Sequence, residues 1–238
     1  MERRPGDRLQ GGGPAIRQDS YAAPWIFING DDRHALVPYY NFNFFNVGRG
    51  KNRSWSTGPE MDYKVFGRFS SALSFNVSHT IDDDQWYGFY SDAAGAHYTF
   101  ARLNQTTTNA TLRLNYTFSP AVSLQAYVQP FVSKGTYANV RQLSSTPRAE
   151  DYDARFAPFN DPSVTSDPGG FNFKEFQSNL VFRWEYRPGS TLFVVWNEGR
   201  QGFANEEGTA TFTGDIRNLM ALHPANTFLV KMSYWLNR

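Results

Sequence analysis

The sequence predicts an all-β chain: an antiparallel transmembrane β-barrel, or the C-terminal portion of a larger one, with about eight to ten strands. Three observations carry this expectation. Strict apolar–polar alternation recurs along the 238 residues. Aromatic residues make up 17% of a chain whose mean hydropathy is only -0.54, a combination that suits the two aromatic girdles of such a barrel. Short turns also alternate with long polar connections.

Taken in order, weak alternation marks Trp25–Asn29, Leu36–Val47 and Met61–Gly67. "ALSFNVSHTI" (Ala72–Ile81) sets Leu73, Phe75, Val77 and Ile81 against Ser74, Asn76, Ser78 and Thr80. "ATLRLNYTF" (Ala110–Phe118), "VSLQAYVQPFV" (Val122–Val132) and "FQSNLVFRWEY" (Phe176–Tyr186) repeat the pattern, and Leu192–Trp196 echoes it. "NTFLVKMSYWLNR" closes the chain with Phe228, Val230, Met232, Tyr234 and Leu236 on one side. A period of two gives each strand unlike faces. In a membrane barrel the apolar face meets lipid and the polar face lines a wet lumen. The expected lumen-facing residues are Asp62, Lys64, Arg113, Asn115, Gln125, Arg183, Glu185 and Lys231, whose balanced signs suggest cross-strand pairing rather than an ion filter. Tyr116, Leu112, Leu124, Val128, Phe182, Trp184, Val230 and Met232 are expected on the lipid side.

The connections sort by length. Short ones are expected at "NGDDRH", Phe69–Ala72, "SPA" (Ser119–Ala121) and "RPGS" (Arg187–Ser190), where Pro and Gly supply turn dihedrals. Long ones are expected at Gly48–Pro59, Asp82–Thr108, Lys134–Gly170 and Arg200–Ala225. The pattern predicts periplasmic turns and extracellular loops. Within the loops, "TGDIRNLMALHP" predicts a short helix near 215–222, capped by Thr213 or Asp215 and stopped by Pro224. "TPRAEDYDARF" suggests one or two helical turns, and "QWYGFYSDAAGAHYTFARL" a hairpin about "DAAGA".

Composition removes several classes. A formal charge of +1 offers no basic stripe for nucleic acid, and the absence of cysteine excludes disulfides and thiolate metal sites. The longest apolar run is "LFVVW" from Leu192, far short of the ~20 residues of a membrane helix. "MERRPGDRLQGGG" has no apolar stretch of the ~7–15 residues of a signal peptide. Residues 1–21 therefore read as an N-terminal extension and 22–238 as the barrel domain. An upward strand should precede Trp25, so the chain is expected to be incomplete, its first and last strands not pairing with each other.

"LRLNYTFSPAVSLQAYVQPFVSKGTY", "FNFKEFQSNLVFRWEYRPGSTLFVVWNEGR" and "HPANTFLVKMSYWLNR" resemble the C-terminal barrel segment of an uncharacterised bacterial outer-membrane family. Its members usually carry an N-terminal domain like a family-9 carbohydrate-binding module. The resemblance implies an outer-membrane location, lipid and lipopolysaccharide around the wall, the barrel-assembly machinery as a partner, and a link to a small solute or oligosaccharide. It transfers no site residue, and the sugar-binding-like domain has no counterpart here. The chain departs from many barrels by ending Leu236-Asn237-Arg238 rather than on an aromatic residue.

No P-loop, HExxH, GxSxG or dinucleotide fingerprint occurs, and no cofactor is expected. His34, His79, His97 and His223 are scattered. Ser78 and His79 are adjacent strand residues facing opposite ways, so they make no direct nucleophile–base pair. Asp82-Asp83-Asp84 and Glu206-Glu207 are candidate calcium ligands in loops, though calcium needs 6–8 placed oxygens. The expected role is non-enzymatic solute passage or surface binding. A soluble lipocalin-like binding protein and a barrel enzyme acting on lipid are the alternatives.

Overall fold

A computed structural model describes residues 14–93, 95–205 and 211–236. Eleven strands form one antiparallel sheet: β1 (Tyr21–Ala22), β2 (Trp25–Asn29), β3 (Leu36–Val47), β4 (Asn52–Val65), β5 (Phe69–Asp92), β6 (Gly95–Ser119), β7 (Val122–Leu143), β8 (Phe156–Pro158), β9 (Gly170–Arg187), β10 (Ser190–Ala204) and β11 (Ala225–Met232). Two helices join them, α1 (Pro162–Thr165) and α2 (Phe212–Ala221). Because β1 and β2 share one side of β3, and β8 continues the β9 side of β7, the eleven occupy nine positions. The sheet is not closed: among the described residues β11 pairs only with β10, and β2 only with β3. No helix among them is long and apolar enough to cross a membrane, a statement that concerns helices alone.

The register gathers the alternating apolar residues on one side of the sheet. One row of partners reads Tyr63, Ser71, Leu114, Ala126, Leu180, Trp196, Phe228; the next reads Val65, Phe69, Tyr116, Leu124, Phe182, Val194, Val230. Leu112, Val128, Trp184 and Met232 share that face. Large apolar side chains there stand open, Val230 and Met232 at 65% exposure and Leu73 at 51%. At the short-turn rim the face carries touching rings: Tyr63–Phe69, Phe69–Tyr116, Tyr116–Phe118 and Trp184–Tyr186. Toward the other rim it turns charged at Lys134, Lys174, Glu198 and Arg200. Between these limits β9 runs from Trp184 to Phe176, about 26 Å at ~3.3 Å per residue.

Several connections differ from expectation. The β4–β5 turn lies at Phe66–Arg68 rather than Phe69–Ala72. Phe66 (φ 49) and Gly67 (φ 63) adopt left-handed conformations, and Arg68 N donates to Val65 O at 3.1 Å. A two-residue turn of that kind matches strand twist, which leaves Phe69 free to begin β5. Gly48–Pro59 is no long loop, since a 3-10 turn at Gly48–Gly50 leads straight into β4. Asp82–Thr108 is not a loop either. It continues β5 and β6, 24 and 25 residues long, to the expected tip where Asp92 pairs with Gly95. Its strands join an aromatic run around Trp86–Tyr90 to the polar run Asn104–Thr108, so alternation fades while pairing persists. Short and long connections therefore do not alternate strictly. Their sidedness does hold, because antiparallel order places Phe66–Arg68, Pro120–Ala121 and Pro188–Gly189 on one rim.

The expected helical turns after Pro147 reduce to a 3-10 turn at Asp153–Arg155. The expected helix near 215–222 begins earlier, with Thr211 as cap accepting from Gly214 N at 3.2 Å. Asp215 is unavailable for capping because it is fully buried against the sheet. It accepts from Lys174 Nζ at 2.8 Å and Asn172 Nδ2 at 3.0 Å. Arg200 donates to the carbonyl of Leu222 at 2.9 Å and to that of Met220, and Phe212 meets Phe75 at 6.4 Å. Helix α2 thus lies across the apolar face at its charged boundary.

Candidate solute-facing surface

The eight polar residues singled out in the sequence all lie on the face opposite the apolar one. Asp62 leads through Ala72 to Arg113, Tyr127 and Asn179. Lys64 leads through Ser70 to Asn115 and Gln125. Ser123, Arg183, Phe193 and Lys231 form a third row, and Glu185 lies two residues from Arg183.

Their contacts correct the expected cross-strand pairing. Among the described residues the only ion pair within the set is Arg183–Glu185, at 2.9 Å along one strand. Glu185 also accepts from Gly189 N at 3.1 Å, which ties it to the β9–β10 turn. Arg113 sits over the Tyr127 ring at 5.5 Å, and Asn115 donates to Ser70 Oγ at 3.2 Å. Arg183 and Glu185 thus hold each other along one strand, while Arg113 and Asn115 are held by a ring and a hydroxyl.

Farther toward the long-connection rim, the same face carries features that alternation alone did not reveal. Gly199 pairs with Gln177 and Ala225, and a Cβ placed on it would meet nothing within 4 Å. The gap is a groove of about 490 Å³ bordered by Tyr127, Glu175, Gln177, Asn197 and Gln201. Above it Phe131 and Phe173 pack edge to face at 5.9 Å, and Phe203 is 64% exposed. The available signal was a glycine inside a strand, which often marks close backbone approach. Reading Arg200–Ala225 as a loop concealed it.

Beyond the apolar band, β5, β6 and β7 support a small packed body. Ile16, Phe100 and Phe156 form its apolar centre. Asp83 accepts from Arg102 at 3.1 Å and from Arg141 at 2.9 Å, while Asn52 donates to Asp84 and accepts from Asp83 N at 2.7 Å. Guanidinium groups thus occupy the Asp83 carboxylate, an amide holds Asp84, and no group of three or more acids or histidines among the described residues could hold a metal. Glu206 and Glu207 lie outside the described residues. Arg155, 1% exposed, donates to Asp19 at 2.7 Å and to the carbonyls of Arg17, Ala149 and Glu150. Every polar edge of that buried cation is satisfied, as burial demands. Burial, with Asp84 and Asp83 nearby, pushes the Tyr152 phenol well above its ordinary range.

The histidines do not converge. His79 lies on the apolar face, 3.1 Å from Thr106 Oγ1, while Ser78 pairs with Ser56 and Thr107 on the polar face. His97, at the hairpin tip, touches Asp92 at 2.9 Å and Gln142 at 2.5 Å, contacts that raise its pKa.

No curated protein and no solved structure matches the chain. A family model described as a domain of unknown function, DUF5916, matches residues 8–237, and the chain belongs to that family.

Proposed function

We propose that this sheet is a section of the wall of an outer-membrane β-barrel, and that its polar face passes or binds a small solute without catalysing a reaction. The observation that carries the reading is the exposed apolar face. Leu73, Tyr116, Trp184, Val194, Val230 and Met232 stand open, and among the described residues α2 covers part of the face at its charged end. Soluble monomers rarely expose contiguous apolar patches beyond a few hundred Å². Lipid is the solvent that makes such a face favourable. The aromatic belt at one end and the lysine–arginine row at the other suit the two limits of a bilayer, with the outer one at the lipopolysaccharide headgroups. About 26 Å of strand, tilted, is close to the ~25 Å apolar band of such walls.

The open edges fit the same reading. From β2 to β11 there are eight antiparallel steps, so β2 and β11 run in the same direction. Joining them directly would make a parallel pair, whereas an odd number of further strands would keep every pair antiparallel. Unpaired backbone groups in lipid cost several kcal/mol each, so in the assembled wall both edges are paired.

Detergent dependence tests the proposal. Extraction from membranes only with detergent is the expected result. A monodisperse monomer in detergent-free buffer would overturn it and favour a soluble binding protein.

A further inference from the structure

We infer that the groove over Gly199 is a binding subsite for a neutral, hydroxyl-rich ring, a saccharide or cyclic polyol. The inference deepens the proposed solute role and rests on the polar face being open to solute.

The groove combines two kinds of contact. Its floor and sides are amides: Gln177 and Asn197 face each other diagonally beside Gly199, with Gln201 one position farther along the face. Amides donate and accept in equal measure, as hydroxyls do. Asn197 accepts from Asn179 through its oxygen, which leaves its NH₂ group as the donor for a ligand. Glu175 is held by Gln177 at 2.7 Å, so one carboxylate is placed as an acceptor rather than left to swing. Arg200, Glu198 and His223 also border the groove. Arg200 and Glu198, however, stand on the strand's opposite face, where they pair at 2.6 Å and Arg200 donates to the Leu222 carbonyl, so no lysine or arginine side chain projects from the groove's own face. A fixed carboxylate without a facing cation disfavours anions, and amides do not compensate a full positive charge.

The second contact is the aromatic lip. Phe131 pairs in register with Glu175, and Phe173 with Phe203, so all three rings stand on the groove's own face directly above it. Exposed rings beside a hydrogen-bonding floor suit a solute with apolar C–H faces and a hydroxyl edge. The volume, about 490 Å³, lies within the range of small-molecule sites. Gly199 is what keeps the space open.

Sucrose is the probe, titrated calorimetrically into the purified full chain in detergent micelles, with glucose 6-phosphate as the charged counterpart. The expected result is saturable sucrose binding with a Kd near or below ~1 mM, and binding of the phosphate at least about tenfold weaker. Gly199→Trp fills the groove and should weaken sucrose at least about tenfold, while Phe203→Ala, at an exposed position that cannot endanger folding, should weaken it about threefold or more. Absence of saturation, equal binding of the phosphate, or unchanged affinity in both variants would overturn the inference. Detergent dependence is read separately. Sucrose binding in plain buffer would keep the groove and sink the membrane wall, whereas a detergent-dependent protein that ignores sucrose would do the reverse.

Discussion

Replacing Leu112 with arginine separates a lipid-facing sheet from a water-facing one. Leu112 pairs with Leu73 on one side and Val128 on the other, and lies four residues from Tyr116 of the aromatic belt. It is therefore close to the middle of the apolar band. An arginine near the midplane of a membrane barrel costs about 2–4 kcal/mol, roughly 30- to 900-fold in the folding equilibrium. On a water-facing surface the same change falls within about 0.5 kcal/mol. Arg113→Leu, one residue along, is the control. It removes a stacking contact with Tyr127 worth about 0.5–1 kcal/mol, on the face assigned to water. Urea unfolding of the full chain in lipid vesicles, followed by tryptophan fluorescence, reads both. Leu112→Arg should be the costlier by more than ~1 kcal/mol. If it lies within ~0.5 kcal/mol of the parent while Arg113→Leu is worse, the assignment of faces is wrong.

Asp215→Ala should release α2. It leaves Lys174, 15% exposed, beside no carboxylate, and breaking such a buried pair costs about 3 kcal/mol; new protease cuts between Ala204 and Ala225 would show it. Arg155→Ala removes the cation holding Asp19 and three carbonyls, so residues 144–170 should become protease-sensitive while the lower strands keep their far-UV signal. His97 has a raised pKa in the folded state. The sign follows: its contribution is complete below the ordinary histidine pKa and is lost as pH rises through the higher folded value. Amide exchange at residues 95–99, corrected for intrinsic rate, should therefore accelerate over that window, and His97→Gln should abolish the dependence.

The period-two pattern made the lower halves of the strands legible, because a face that meets one solvent must be uniformly apolar. Tyr116, Phe182 and Val230 were assignable without any knowledge of their neighbours. The upper halves were opaque for the converse reason. In Asn104–Thr108 both faces are polar, so nothing in the pattern marks a strand, and pairing with β5 and β7 decides it. Asp215 and Thr213 looked like helix caps because cap chemistry is local, but a lysine 41 residues away claims Asp215. The candidate polar face was legible as a list, whereas its partners were not, since alternation says which way Arg183 points and nothing about Glu185 turning toward Gly189. The groove depended on one glycine whose meaning appears only when Gln177 and Ala225 stand beside it.

Spin labels placed singly from Ala110 to Tyr116, in the full chain reconstituted in lipid, test the central claim most directly. Accessibility to oxygen, which concentrates in lipid, and to a water-soluble nickel chelate should alternate with a period of two. Ala110, Leu112, Leu114 and Tyr116 should favour oxygen, and Thr111, Arg113 and Asn115 the chelate. Equal access of the chelate to both sets would contradict the membrane-wall account.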